Sequence, residues 1–416
     1  MFFIVLCECV MVTLFIEYMI SGKKEITQLD RKILPRVEVI KLCENNLKRD
    51  FEIRKSDGCF DCTEYDTMYK GQENIRKKEF LQMEKRSAYW DNIKAVLIFL
   101  VVLGHFLLAM QKKSVLVEAV YWWIYSFHMP AFVFVSGYFA KSFVKKNGDR
   151  SRLLGFLIIY VVFTILLWIM NMINTKEFRL PSLFSTGSAQ WYMLAMFVWY
   201  LLLLFVAGFS GKVSIPVAFL TGLLVGVDGN AGNFLSMSRI IVFFPFFLSG
   251  YYFKGECLEK ITKSRKVFGA VFLSAFFVVL LYFRKPLTPL LRCVYGDKSY
   301  AAMELTSAEG VFFRGMWYLL AVCMIAALLC VVSSQRHFYT YIGEYTLPIY
   351  VIHRVLRDVF SGIGLFSIIG DGIVALTVCC ILSTAIVFLC ANKTIGKIFD
   401  YAFQIGKRYE KQDIEG

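Results

Sequence analysis

The sequence predicts an all-α, polytopic integral membrane protein of about ten transmembrane helices, and three observations carry that prediction. Hydrophobic residues make up 57% of the 416, charged residues only 19%, and mean hydropathy is +0.57. A soluble chain of this size holds about 25% charged residues and at most half apolar ones. The apolar residues also gather into runs near the roughly 17–25 residues that one bilayer crossing needs. This pattern excludes a disordered chain, a solvated repeat scaffold and an ordinary cytosolic enzyme.

Residues 1–82 are a different material and read as an N-terminal extension. They hold 14 Lys/Arg and 14 Asp/Glu, so the net charge of +14 falls entirely after them. The apolar stretch 1–20 carries Glu8 and Glu17 and has no basic residue before it, unlike a signal peptide. Lys78-Glu79 can be encoded by a ribosome-binding sequence, with Phe80–Gln82 as spacer, so the expected biological start is Met83. Cys43, Cys59 and Cys62 occur here with no His. Three thiols fall one short of a structural zinc site, and no metal is expected.

From Met83 onward, the expected spans lie at 93–110, 118–140, 153–173, 189–209, 213–227, 239–253, 267–283, 311–333, 341–361 and 372–391. The fifth and sixth are short and contain Pro216 and Pro245. The ninth is the least apolar, carrying Glu344, His353, Arg354, Arg357 and Asp358. With the start placed inside, alternating sides puts 20 Lys/Arg in cytoplasmic segments and 12 outside. Cytoplasmic loops collect basic residues, so both ends of the module are expected in the cytoplasm. The membrane domain is then 83–400, followed by a cytoplasmic tail, 401–416. No basic module interleaved with aromatics points to nucleic acid; the bilayer is the expected partner.

An internal echo crosses the domain. Phe132–Lys141 reads FVFVSGYFAK and Phe244–Lys254 reads FPFFLSGYYFK, each closing an out-to-in helix with Ser-Gly-Tyr. Either a structural repeat or a shared way of ending a helix explains it, since Gly permits close helix approach.

Four His occur in the whole chain, and three of them, His105, His128 and His353, fall inside expected spans. Ionisable groups at membrane depth are costly and usually face a cavity or a partner. Counted from the expected helix starts, each lies about 15–18 Å deep, near the bilayer midplane. Lys94 is eleven residues before His105, about three turns, so the two share a face. A cation at the mouth and an imidazole deep on one stripe suit a phosphate-bearing donor that reaches inward. Snorkelling of Lys94 and pairing with Asp91 is the plainer alternative.

Asp91-Asn-Ile-Lys94, then ten residues, then His105, followed by Ser126-Phe-His-Met-Pro130 and Val135-Ser-Gly-Tyr138, resembles the acyltransferase-3 family of integral-membrane acyltransferases. Gln190-Trp-Tyr192, Arg239 before Phe244-Pro-Phe-Phe, and Gly343-Glu-Tyr-Thr-Leu-Pro-Ile-Tyr-Val-Ile-His353 match as well. The likeness is strongest to the fucose 4-O-acetylase-like branch and covers about 83–400. It implies transfer of an acyl group, usually acetyl from cytoplasmic acetyl-CoA, to a sugar hydroxyl of an envelope or exported glycan at a bacterial cytoplasmic membrane. Where the wider family commonly has Arg, this chain has Lys94, which keeps the charge and drops bidentate phosphate binding.

The residues suit that chemistry on their own terms. A sugar hydroxyl is a weak nucleophile, and imidazole is the side chain best tuned to activate it near neutral pH. His105 either deprotonates the acceptor or takes the acyl group and passes it on. His128 is the candidate second acid/base, and His353 with Glu344 would orient the site. Lys94 and Asp91 are the candidates at the donor end. Arg239 and Arg314, at the outer ends of their helices, are candidates for an anionic acceptor or a developing oxyanion. Trp191-Tyr192 and Trp317-Tyr318 are candidates for stacking on a sugar face. The competing reading is a secondary transporter or exporter of a small polar solute, since Pro-interrupted helices and intramembrane His and Arg also serve that purpose.

Overall fold

The computed structural model describes residues 88–145, 148, 150–178, 189–229, 235–255 and 263–415. The expected extension 1–82, with its three cysteines and the Met83 start, lies outside the described residues. The described residues form α-helices joined by turns and short 3₁₀ segments, with no strand among them.

All ten expected spans coincide with helical segments. They are α1 (Ala88–Leu108), α2 (Val115–Tyr125) with α3 (His128–Lys145), α4 (Arg150–Thr175), α5 (Trp191–Val206), α6 (Gly211–Leu224), α7 (Met237–Tyr252), α8 (Lys263–Phe283), α10 (Ser307–Val331), α11 (Thr346–Gly362) and α13 (Gly372–Cys390). Short α9 (Thr288–Cys293) and α12 (Leu365–Ile368) lie in connections, and α14 (Lys393–Glu415) closes the chain. Five helices, α1, α4, α8, α10 and α13, are long and apolar enough by themselves to cross a bilayer. Along its most apolar window α1 is 67% buried and α8 only 11%. A helix apolar all round belongs either in a core or against lipid, and these two mark the extremes.

The second expected span is two helices rather than one, and Pro130 supplies the reason. Its ring nitrogen has no hydrogen to give the Ser126 carbonyl one turn back, so the helix cannot run through. The indole Nε1–H of fully buried Trp317 donates to that carbonyl instead, at 3.0 Å. Trp317 is therefore an interior strut and not a sugar platform. The neighbouring Tyr318 is buried too, its hydroxyl donating to the Val242 carbonyl at 2.8 Å.

The echoed segments pack on each other. A Cβ placed on Gly137 of α3 would fall 1.9 Å from the Phe247 carbonyl oxygen, and one on Gly250 of α7 would fall 1.8 Å from the Phe134 carbonyl oxygen. Each glycine thus meets the residue three positions before the other. The relation is reciprocal, and it allows the two backbones to touch.

The Asp91-Asn-Ile-Lys motif works partly as a clamp. Asn92 is fully buried; its amide donates to the Ser333 and Gln335 carbonyls at 2.9 and 2.7 Å and its oxygen accepts from Thr340 at 2.6 Å. Gly343 lies so close that a Cβ there would sit 2.2 Å from the Asp91 carbonyl oxygen. The two motif segments, 91–94 and 343–353, therefore meet at what we term the Asp91 end of the bundle. At the opposite, Lys113 end, the Lys113 ammonium donates to the Phe366 and Ile369 carbonyls at 2.9 and 2.8 Å. The boundary expected at residue 400 falls inside α14, which packs along α4 and sets Phe403 against Gly155 and Phe156.

Candidate active site

The three histidines converge, though nearer one end than the sequence suggests. Counted from Ala88, the first described residue of α1, His105 lies about 25 Å along the helix, in its last turn. His128 is the first residue of α3, placed there by the break at Pro130. His353 stands about 10 Å into α11. The His105 and His353 rings are 5.1 Å apart, and His128 lies edge-on to Tyr125 at 4.8 Å.

His105 and His128 line a cavity of about 220 Å³ on the Lys113 side of the bundle, together with Tyr125, Trp191, Arg239, Tyr350, Arg354 and Arg357. His128 and His353 are buried, and in each the Nδ1 lies against a carbonyl one turn back, Ile124 at 2.8 Å and Ile349 at 2.9 Å. A carbonyl can only accept, so Nδ1 carries the hydrogen in both rings and Nε2 keeps a lone pair. The Nε2 of His353 is buried and has no hydrogen-bond partner among the described residues. In the neutral form of the His353 ring that nitrogen is a free acceptor beside His105, an arrangement able to take up a proton.

Arg239, in the first turn of α7, stacks over Trp191 at 5.7 Å and pairs with Asp297 at 2.9 Å. Arg354 and Arg357, three residues apart on α11, both pair with Asp358. Tyr121 and Tyr295 share a hydrogen bond of 2.5 Å, and Tyr125 stacks on Tyr121 at 4.2 Å, so an aromatic wall backs the polar face. A wider cavity of about 510 Å³ shares Leu108, Arg239 and Tyr295 with the first, and adds Arg292, Lys298 and Glu304 from the 284–306 connection. Tyr350 lines the histidine cavity and also a third one, about 210 Å³, whose walls include Ser136, Tyr192 and Phe403.

The other candidates lie elsewhere. Lys94 stands about 16 Å along α1 from His105; its ammonium is 2.7 Å from the Asp91 carboxylate and 5.0 Å from the Phe139 ring. Arg314 is fully buried outside the cavity, donating to the Gly222 and Lys298 carbonyls at 3.2 and 3.3 Å and stacking on Tyr300. Glu344 is exposed in the 3₁₀ turn Thr340–Glu344 at the Asp91 end, away from His353. Eight intervening residues carry the chain into α11, so the expected pairing of the two is not made. Sequence reasoning missed Arg354, Arg357, Tyr125, Tyr295 and Tyr350 as lining residues. The arginines had a signal: charges one turn apart, next to a histidine, in a helix otherwise apolar enough to be read as a span.

Residues 87–392 match the family model described as an acyltransferase domain, a stretch that takes in all of α1 as described and ends at the residue before α14. No curated protein and no solved structure matches the chain. The matched region holds the histidine cavity, its arginines and every described helix both long and apolar enough to cross a bilayer by itself, and the chain belongs to the acyltransferase-3 family of multi-pass membrane acyltransferases.

Proposed function

We propose that this enzyme moves an acyl group, acetyl in the first instance, from cytoplasmic acyl-CoA to a sugar hydroxyl of an envelope or exported glycan at a bacterial cytoplasmic membrane. The observation that carries the reading is the cavity in which His105 stands with His128, beside His353, at the far end of the helix that holds Lys94. Ten spans with the Asp91 end inside would put Lys94 and Asp91 at the donor's entrance and the wide cavity by Arg292 and Lys298 at the acceptor's. Tyr350, which borders both the histidine cavity and the one toward Phe403, lies where a slender pantetheine arm would pass.

In the direct route, the acceptor hydroxyl oxygen forms a bond to the thioester carbonyl carbon while His105 takes the hydroxyl proton. The carbon–sulfur bond breaks, and the thiolate leaves as thiol with that proton. In the covalent route, an imidazole nitrogen of His105 attacks first and CoA departs as thiolate; the sugar oxygen then displaces the imidazole, and its hydroxyl proton passes through His128 to leave CoA as thiol. His128 is the second acid/base, Trp191 offers a face to the sugar, and Arg239 offers charge to the oxyanion. The test uses the full chain purified in detergent with acetyl-CoA and extracted glycan. CoA release and O-acetyl transfer should both occur, and both should fall by about 10²–10⁴ in His105→Gln. Wild-type protein that releases no CoA from acetyl-CoA would refute the assignment.

A further inference from the structure

The histidine cavity carries more positive charge than acyl transfer to a neutral sugar requires. Arg239, Arg354 and Arg357 line it, and none of its lining residues is acidic. Arg354 and Arg357 share one carboxylate, Asp358. The Nε of Arg357 is buried and has no hydrogen-bond partner among the described residues. The adjoining wide cavity adds Arg292 and Lys298 against Asp297 and Glu304. Across both cavities five cationic side chains line the path and two acidic ones do.

A guanidinium held in low dielectric costs free energy unless an anion answers it. The acyl end of the donor is uncharged, and its phosphates belong at the far end of the pantetheine arm. The oxyanion of the transition state is one transient charge, which a single donor cluster can meet. A standing anion on the other substrate accounts for the remainder. Planar guanidinium forks match the two oxygens of a carboxylate or phosphate.

Resting on the acyl-transfer reading above, we propose that the acceptor is anionic: it presents a carboxylate or phosphate to Arg354 and Arg357 while its hydroxyl faces the histidines. The charge can come from an acidic sugar or from the diphosphate of a lipid carrier, and the experiment separates them. Purified full-length protein is given acetyl-CoA with methyl glucuronide, methyl glucoside, or glucose on a polyprenyl diphosphate. Binding of the same three compounds is measured by calorimetry without donor. The expected result is kcat/KM about tenfold higher for one charged acceptor than for the glucoside, narrowing at high salt; which charged acceptor leads assigns the source. Arg357→Gln should raise KM for that acceptor about tenfold while KM for acetyl-CoA stays put, and Arg357→Lys should recover part of the loss. Equal binding and equal kcat/KM for all three compounds would overturn the proposal. If no acceptor is acetylated yet the charged compound still binds tighter in wild type and not in Arg357→Gln, the anion site stands and the acyl-transfer reading falls.

Discussion

At the scale of single residues, the histidines separate by their hydrogen bonds. His128 and His353 have one nitrogen tied to a carbonyl four residues back, whereas His105 stands between His353 and the cavity. His105→Gln should lower kcat by about 10²–10⁴, the range for losing a general base. His128→Gln and His353→Gln, if they position the site, should cost less, and single-turnover acetylation of a glycan acceptor ranks the three. A His105→Gln enzyme that is folded and near wild-type rate would move the role to His128. Lys94→Ala should raise KM for acetyl-CoA, most at low ionic strength, while Lys94→Arg keeps most of the affinity; an unchanged KM returns Lys94 to its ion pair with Asp91. The sequence identified the histidines because ionisable residues inside apolar runs are conspicuous. It could not separate Arg239 from Arg314: both sit near helix ends, and only packing shows one facing a cavity and the other given to two carbonyls.

At the scale of elements, hydropathy found the helices and missed what joins them. The run 118–140 is apolar enough to read as one span, and its division at Ser126-Phe127 follows from one absent N–H at Pro130 and a tryptophan 191 residues away that answers the freed carbonyl. No window over the local sequence contains that partner. The Ser-Gly-Tyr echo was legible as a pattern, and its meaning required seeing α3 against α7. Gly137→Ala and Gly250→Ala should each destabilise the protein by about 1–3 kcal/mol or more, because the new methyl meets backbone and cannot be relieved by a rotamer change. Gly208→Ala, where the space is open, is the matched control. Thermal unfolding in detergent should show both seam variants melting earlier and the control unchanged; equal melting of all three would mean the helices part readily.

At the scale of the whole molecule, the count of spans and their direction make a prediction about sides. Reporter fusions after Lys263 and after Gly416 should read cytoplasmic, and one after Lys298 external; an external reading after Gly416 would break the ten-span arrangement. Composition alone established the helical membrane class, since nothing else accounts for so few charges in so long a chain. The gathering of motifs far apart in sequence, residues 91–94 against 343 and 105 beside 353, was beyond it, because helix order around a bundle is set by packing that no local period records. The α3–α7 seam bears on how such a machine can work. Alternating-access carriers rock one half against the other, and that requires a joint with play in it. Here the two echoed helices touch backbone to backbone at two points, which leaves that joint little play. A rocking carrier would need its hinge elsewhere, whereas the acyl transfer proposed above asks for none: on that reading two reactants approach a stationary histidine from opposite faces of the membrane.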